Sequence, residues 1–301
     1  MQVLLIDIGN SRIKWRIVDP RLDWPQHDDA AAISASDVSG SLALCDLSQL
    51  AQRFGATRIA ALDSVHMSNV AGAEVEIATR TAISTSWGDV PVHSLIPDAA
   101  QCGVINGYRD KPQLGADRWA AMLGAHALSA GGHLLVCSFG TATTIDLLLI
   151  ADHETKRASF DGGLILPGFD AMRRALARDT ARLPLAEGEV FDFATRTDDA
   201  IASGIVAAQA GAVTRSVHNA RARIAIKDRD RGAPRPLSLM LAGGVAKAMA
   251  AHLDGLDAPL RIVPDLVLRG LHAIAYDRQP PGVFACVHDH AHHAPLVHER
   301  S

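Results

Sequence analysis

Aromatic side chains are scarce in this chain. Among 301 residues there are only 7 Phe, 4 Trp and 2 Tyr. A core must therefore be filled by Ala, Leu, Val and Ile, and an apolar fraction of 48% is enough to build one. Net charge is also small, at −4, which argues against nucleic acid or an anionic membrane surface as a partner. Cysteine is rare: Cys45, Cys102, Cys137 and Cys286 are far apart and form no C-x-x-C pair. That excludes a visible zinc or disulfide framework and reads as reduced thiols in a cytoplasmic protein. No apolar run approaches the roughly 20 residues of a membrane span. The N-terminus has no basic stretch and reaches Asp7 at once, which argues against a signal peptide. The G-x-x-x-x-G-K-[ST] and G-x-G-x-x-G nucleotide loops are both missing.

What the chain does have is one layout written twice. Leu4-Leu5-Ile6-Asp7-Ile8-Gly9-Asn10-Ser11-Arg12-Ile13-Lys14-Trp15 is an apolar strand, a tight Gly/hydroxyl turn and a second strand. Leu134 to Asp146 repeats it, with Ser138-Phe139-Gly140-Thr141-Ala142-Thr143-Thr144 at the turn. Such turns present backbone N–H groups and hydroxyls to an anion. Two facing copies suit the phosphate tail of one nucleotide, in the cleft of a two-lobed phosphotransferase. Asp7, ending its strand, is placed to hold Mg²⁺ through water. Gly9 lets backbone approach phosphate, Asn10 and Ser11 donate, and Arg12 and Lys14 add positive charge. An ordinary hairpin turn is the plain alternative for either copy alone; the repetition weighs against it.

The length suits two domains of about 150 residues. Patterning predicts strands at 2–8 and 13–19, a helix at 46–54, a strand at 58–65, a helix at 68–82 and a short strand at 90–96. It predicts mostly loop over 101–115 and a helix at 116–129. After Ala130-Gly131-Gly132, the expected boundary, come a hairpin over 133–150 and helices at 169–178 and 197–222. Thr197 supplies an N-cap hydroxyl for the second of these helices. A strand at 237–242 and helices at 245–254 and 266–276 complete the pattern. Strands alternate with helices in both halves, the mark of layered α/β domains. The expected division is 1–131, 132–277 and a poorly ordered His-rich tail at 278–301.

Two further segments are chemically suggestive. Gly243-Gly244 joins a strand to a helix and would let a flat ring or ribose lie on the backbone; a plain tight turn explains it equally well. Gly107-Tyr108-Arg109-Asp110-Lys111-Pro112-Gln113-Leu114-Gly115-Ala116-Asp117-Arg118-Trp119 is a loop feeding a helix. Asp117 there could favour the helix dipole, or act as a general base toward an attacking hydroxyl. Arg118 would steer a carboxylate or phosphate with its planar fork.

Together these segments resemble the type III pantothenate kinases, the family that includes the Bvg accessory factor proteins, within the acetate and sugar kinase/Hsp70/actin superfamily. The resemblance runs from Asp7 to about Tyr276. Its specific parts are Pro112-x-Leu114-Gly115-x-Asp117-Arg118, Gly162-Gly163-Leu164-Ile165-x-Pro167-Gly168, Thr180-Ala181-x-Leu183-Pro184 and Thr197-x-x-Ala200-Ile201-x-x-Gly204. It implies a duplicated actin-like (ribonuclease H-like) fold, a homodimer, and ATP-dependent phosphorylation of pantothenate, the first step of coenzyme A synthesis. By motif, Asp7, Ile8, Gly9, Asn10, Ser11, Arg12, Ile13, Lys14 and Thr141 would bind ATP, with Gly243 and Gly244 beside them. Tyr108, Gly115, Ala116, Asp117 and Arg118 would bind pantothenate, Asp117 as base, and Thr197 would complete the pocket near the dimer interface. Family members often carry Asp three residues before Thr141, as a ligand for a monovalent cation such as K⁺ or NH₄⁺. Ser138 stands there, a neutral and weaker oxygen ligand. The competing readings are another small-molecule kinase of the superfamily and an accessory regulator that binds ATP without turnover.

Other signals have bland explanations. His288, His290, His292, His293 and His298 fit a disordered tail better than a metal site. The Arg-rich stretch 221–236 includes Asp228 and Asp230 and lacks interleaved aromatics, so it reads as solvated helix end and loop.

Overall fold

The computed structural model describes residues 1–22, 24, 38–152, 157–180, 183, 185, 187–230 and 233–277. The His-rich tail, and parts of the Thr180–Pro184 motif, lie outside them. In chain order the elements are β1 (Val3–Ile8), β2 (Arg12–Val18), β3 (Val38–Ala43), α1 (Leu50–Gly55), β4 (Ser64–Asn69), α2 (Ala73–Trp87), β5 (Val92–Ser94), β6 (Ala100–Gln101), β7 (Val104–Asn106) and α3 (Ala116–Ala127). There follow β8 (His133–Phe139), β9 (Ala142–Asp152), β10 (Arg157–Pro167), α4 (Phe169–Asp179), α5 (Thr197–Lys227), β11 (Leu237–Ala242), α6 (Ala246–Ala250), β12 (Leu260–Ile262) and α7 (Leu266–Asp277).

The duplication is carried by the sheets. The first has order β3-β2-β1-β4-β5; the second contains β10-β9-β8-β11-β12, the same order, extended by β7 and β6. In each, the first three strands are antiparallel and the next two run parallel to the first. This is the duplicated actin-like α/β architecture expected from the sequence.

Five layers result. Leu4, Ile6, Ile8, Ile13 and Trp15 face α1 and α2 on the outside of the first sheet. Leu135, Cys137, Leu239 and Leu241 face α5 and α6 on the outside of the second. Between the sheets lie α3 and α7, packed against Val3, Leu5, Val136, Leu148 and Met240. With both faces covered, β1 and β8 read as nearly continuous apolar runs. α3 is buried on almost every side, which its Ala- and Gly-rich sequence permits. It meets α7 at Gly124 and Gly270, where a Cβ would run into the Leu266 and Ala120 carbonyls respectively.

Several expectations shift. The strand expected at 58–65 is β4 at 64–69: Ala-rich 58–62 stays outside the sheet, while Val65 and Met67 enter the core between β1 and β5. The following helix moves to 73–87, after Gly72 at φ 98°. The stretch expected as loop over 101–115 contains β7 and the end of β6. Thr197 is the first residue of α5, not its cap; Arg196 holds that position. The sheets also do not divide cleanly at 130–132: β6 and β7 join the second sheet, and α7 returns to pack on β1 and β4.

Candidate active site

Alternation along the strands decides which polar groups enter the space between the sheets. Val3 and Leu5 face α3 and α7, so Asp7 does too. Lys14 lies opposite Asp7 on β2 and Ser68 opposite it on β4, forming one polar row at the strand ends. The Ser68 hydroxyl is buried and lacks a hydrogen-bond partner among the described residues. α3 and α7 both begin over this row. Asp117 lies in the first turn of α3, and Asp265 immediately precedes α7. The Lys14 Nζ donates to Asp265 Oδ1 at 3.1 Å, so residues 251 positions apart pair across the molecule. Burial pushes the Asp7 carboxyl up to about 7; Lys14 pulls it down, and Asp117 and Asp265 push it further up. The corresponding row of the second sheet, Thr144–Ser138–Ala242, carries no charge.

The two turns meet at their tips. Ser11 Oγ and Thr141 Oγ1 are 2.8 Å apart. Gly168, which precedes α4, donates its N–H to the Thr141 carbonyl at 3.2 Å, and a Cβ on Gly168 would strike that turn. Gly243, at φ 95°, packs so closely on Phe139 that a side chain would overlap its backbone. Around Gly244 there is open space. The first hairpin, the second hairpin and the Gly243-Gly244 turn thus converge on one mouth.

Beside this mouth lies a second polar group. Arg118 and Asp146 are 6% and 1% exposed and form a two-pronged ion pair, Nη2 to Oδ1 at 2.5 Å and Nε to Oδ2 at 3.2 Å. Arg118 Nη1 donates to the Tyr108 hydroxyl at 2.7 Å. Burial works against the Arg118 charge, but its bonds to Asp146 and Tyr108 keep it firmly protonated. Burial raises the Asp146 carboxyl, opposed by Arg118. Asp117 joins the two groups. Its Oδ1 accepts the Arg118 backbone N–H at 2.7 Å, and burial raises its carboxyl above the usual range. A Cβ on Gly115 would come within 2.6 Å of that oxygen, so glycine there leaves the carboxylate room.

The remaining sequence-predicted residues fall into place unevenly. Ile8 and Ile13 bury their side chains in the outer core, leaving only backbone for a ligand. Arg12 donates to Ser41 Oγ at 2.9 and 3.1 Å, along the sheet edge. Gly9 closes its turn by donating to the Arg12 carbonyl at 3.0 Å, and Asn10 is exposed. Ala116 is buried. Ser138 is the last residue but one of β8, between Thr144 and Ala242. Thr197 is exposed at the start of α5, whose Ile201 and Ile205 pack with Phe169, Met172 and Leu176 of α4. Sequence reasoning gave no role to Asp146 or Asp265. A carboxylate inside Ile145-Asp146-Leu147-Leu148-Leu149 was the signal for the first. Nothing local marks the second.

Over residues 3–219 the chain matches the family model described as type III pantothenate kinase. A type III pantothenate kinase of Herminiimonas arsenicoxydans is 38% identical over 281 residues, covering 92% of this chain and 99% of that protein. One from Cupriavidus taiwanensis is 37% identical over 293 residues, covering 90% and 97%. Among solved structures, a conserved protein of the Baf family from Campylobacter jejuni is 19% identical, covering 91% of this chain and 98% of that one, with a TM-score of 0.47.

Proposed function

The chain belongs to the type III pantothenate kinase family, and from that premise we propose that it transfers the γ-phosphoryl group of ATP to the primary hydroxyl of pantothenate. The products are 4'-phosphopantothenate, which starts coenzyme A synthesis, and ADP. The observation that carries this reading is the position of Asp117. It opens a buried helix, faces the Lys14–Asp7–Ser68 row, and adjoins the Arg118–Tyr108 group.

Phosphoryl transfer depends on positioning and charge neutralisation. The turns at Gly9-Asn10-Ser11 and Gly140-Thr141 would hold the phosphates by N–H groups and hydroxyls, with Lys14 adding charge. The Gly243-Gly244 turn, open at Gly244, would take the nucleoside. Asp117 would accept the proton of the pantothenate hydroxyl as its oxygen bonds to the γ-phosphorus and the bond to the bridging oxygen breaks. A buried carboxylate with a raised pKa is better suited to this than an exposed one. Tyr108, Gly115, Ala116 and Arg118 would hold the rest of pantothenate, with Thr197 completing its pocket.

The residues also fit Mg²⁺. Asp7 is a carboxylate that burial leaves poorly solvated, beside the Ser68 hydroxyl, which has no partner among the described residues. Among the described residues no three His, Cys, Asp or Glu side chains group to hold a metal alone. That suits an ion bound through one or two carboxylates, water and substrate phosphates. When bound, it would neutralise phosphate charge. A monovalent cation, K⁺ or NH₄⁺, would have only the neutral Ser138 in place of the usual carboxylate.

A homodimer belongs to the same proposal. Phe191 and Phe193 are exposed beside α5, at a groove of about 1020 Å³ that Gly204 and Ala207 also line. Asp192, Ser203 and His252 also line it; the two exposed phenylalanines are what supports self-association.

The test is ADP release from ATP and Mg²⁺, with and without pantothenate, in K⁺ and then in Na⁺ buffer. Pantothenate-dependent release is expected in both. Its absence in both salts rejects the kinase reading.

A further inference from the structure

We propose that Asp146 is a positioning residue for the acceptor substrate: it locks Arg118, and through Arg118 it turns the Tyr108 hydroxyl proton toward pantothenate. This rests on the kinase reading above and deepens it.

The argument is one of donors and acceptors. A guanidinium has five N–H donors and no acceptor. Arg118 gives Nε and Nη2 to Asp146, so the fork is taken within the protein. Nη1 points at the Tyr108 oxygen, which must then accept. A hydroxyl that accepts from a cation has its own proton left to donate. Tyr108 therefore faces the pocket as a donor and selects a ligand group that accepts, such as a carboxylate or amide carbonyl; pantothenate has both. Three of the five donors are thus committed within the protein, and those left over remain for the substrate. The Arg118 charge is offset by Asp146, and it also polarises the Tyr108 hydroxyl.

The surroundings hold this arrangement rigid. Tyr108 stacks on Phe160 with ring centroids 5.6 Å apart and planes 11° apart. The Arg118 guanidinium lies 5.5 Å from the Tyr108 ring centre and 5.8 Å from that of Phe160. β10 shifts register between Phe160 and Gly162, and Gly162 takes φ 105°. At Gly163 a Cβ would overlap Asp146 Oδ1 and come within 2.9 Å of Arg118 Nη2. Gly163 thus makes the space in which the ion pair forms, while Gly162 takes the turn in the backbone at the register shift.

The experiment compares full-length wild type with Asp146→Asn, Tyr108→Phe, their double variant and Gly163→Ala. ADP release is measured with pantothenate varied at saturating ATP, then the reverse. Asp146→Asn and Tyr108→Phe should each raise the pantothenate KM about 10- to 100-fold, with the ATP KM within about twofold. The double variant should be no worse than the poorer single one, because both changes remove one hydrogen bond. Gly163→Ala keeps both charges but crowds their contact and the Ile145 carbonyl; where circular dichroism shows it folded, it should show the same KM shift, and Tyr108→Phe, which leaves the ion pair intact, reads the same hydrogen bond if Asp146→Asn is unfolded. A purely structural Asp146 would lower kcat by reducing the active fraction while leaving the pantothenate KM unchanged; that result, or additive effects in the double variant, overturns the proposal while leaving the kinase reading standing. A wild type without pantothenate-dependent turnover overturns both.

Discussion

Ser11 and Thr141, 130 residues apart in sequence, share a hydrogen bond of 2.8 Å between their hydroxyls. Each stands at the tip of one copy of the duplicated hairpin, so the contact joins the two copies at the proposed phosphate site. Both side chains are exposed, and an exposed neutral hydrogen bond adds little to stability. Removing either hydroxyl should therefore leave the melting temperature nearly unchanged. Ser11→Ala and Thr141→Ala should instead raise the KM for ATP about tenfold, the scale of one lost hydrogen bond to a charged group, with pantothenate KM unaffected. Steady-state kinetics with each substrate varied checks this; a shift in pantothenate KM alone would contradict the placement.

Asp7 makes the stability of the fold sensitive to pH. Its folded pKa, pushed up to about 7 by burial, exceeds the ordinary 3.8. The folded state thus binds this proton more tightly than the unfolded chain does. The associated stability is present below about pH 3.8 and is lost as the pH rises through 7. Asp7→Asn cannot ionise and should melt higher than wild type at pH 8, by several degrees on the scale of about 2–4 °C per kcal/mol. The gap should narrow as the pH falls toward 4, and the variant should lose kinase activity. Melting curves across this range, without ATP or Mg²⁺, decide it. A gap that stays constant with pH would mean Asp7 is not the group responsible.

Much of this was legible along the chain because it is local. The strand-turn-strand repeat, the Asp117-Arg118 helix start and the glycine pair at 243–244 are each contained in a few residues, and each takes the local form its pattern specifies. Register and partnership were less legible. β6 and β7 are too short, at two and three residues, to show a period. β10 is hard to read as one strand because Gly162 carries a register shift and Gly163 makes room for the Arg118–Asp146 pair. Lys14 and Asp265 meet only because α7 returns across the first sheet, which no local spacing encodes.

That Lys14–Asp265 pair yields a prediction of its own. Both side chains are about 40% exposed, and exposed pairs of this kind contribute only about 0–1 kcal/mol. Asp265→Asn should shift the melting temperature by no more than about 2–4 °C. It should, however, release the Lys14 ammonium from competition with phosphate and lower the KM for ATP severalfold, most visibly at low salt, where exposed charges are least screened. A titration of ATP at two ionic strengths reads this directly. An increase in KM would mean Asp265 holds Lys14 in its productive position rather than competing for it.

Asp117→Asn separates chemistry from architecture. An asparagine keeps an oxygen able to accept the Arg118 N–H, now made at 2.7 Å, and fits the space left by Gly115, so α3 should begin as before. What is lost is a carboxylate able to take a proton. General-base contributions are about 10²–10⁴-fold, and kcat should fall by that factor while the KM values for ATP and pantothenate move little. Circular dichroism should superimpose on that of the wild type. Because burial raises the Asp117 pKa, the acid limb of the wild-type kcat profile should lie above the usual aspartate range and be absent from the residual activity of the variant. A near-normal kcat in Asp117→Asn would remove the residue from the reaction and leave its position at the helix start as a matter of folding alone.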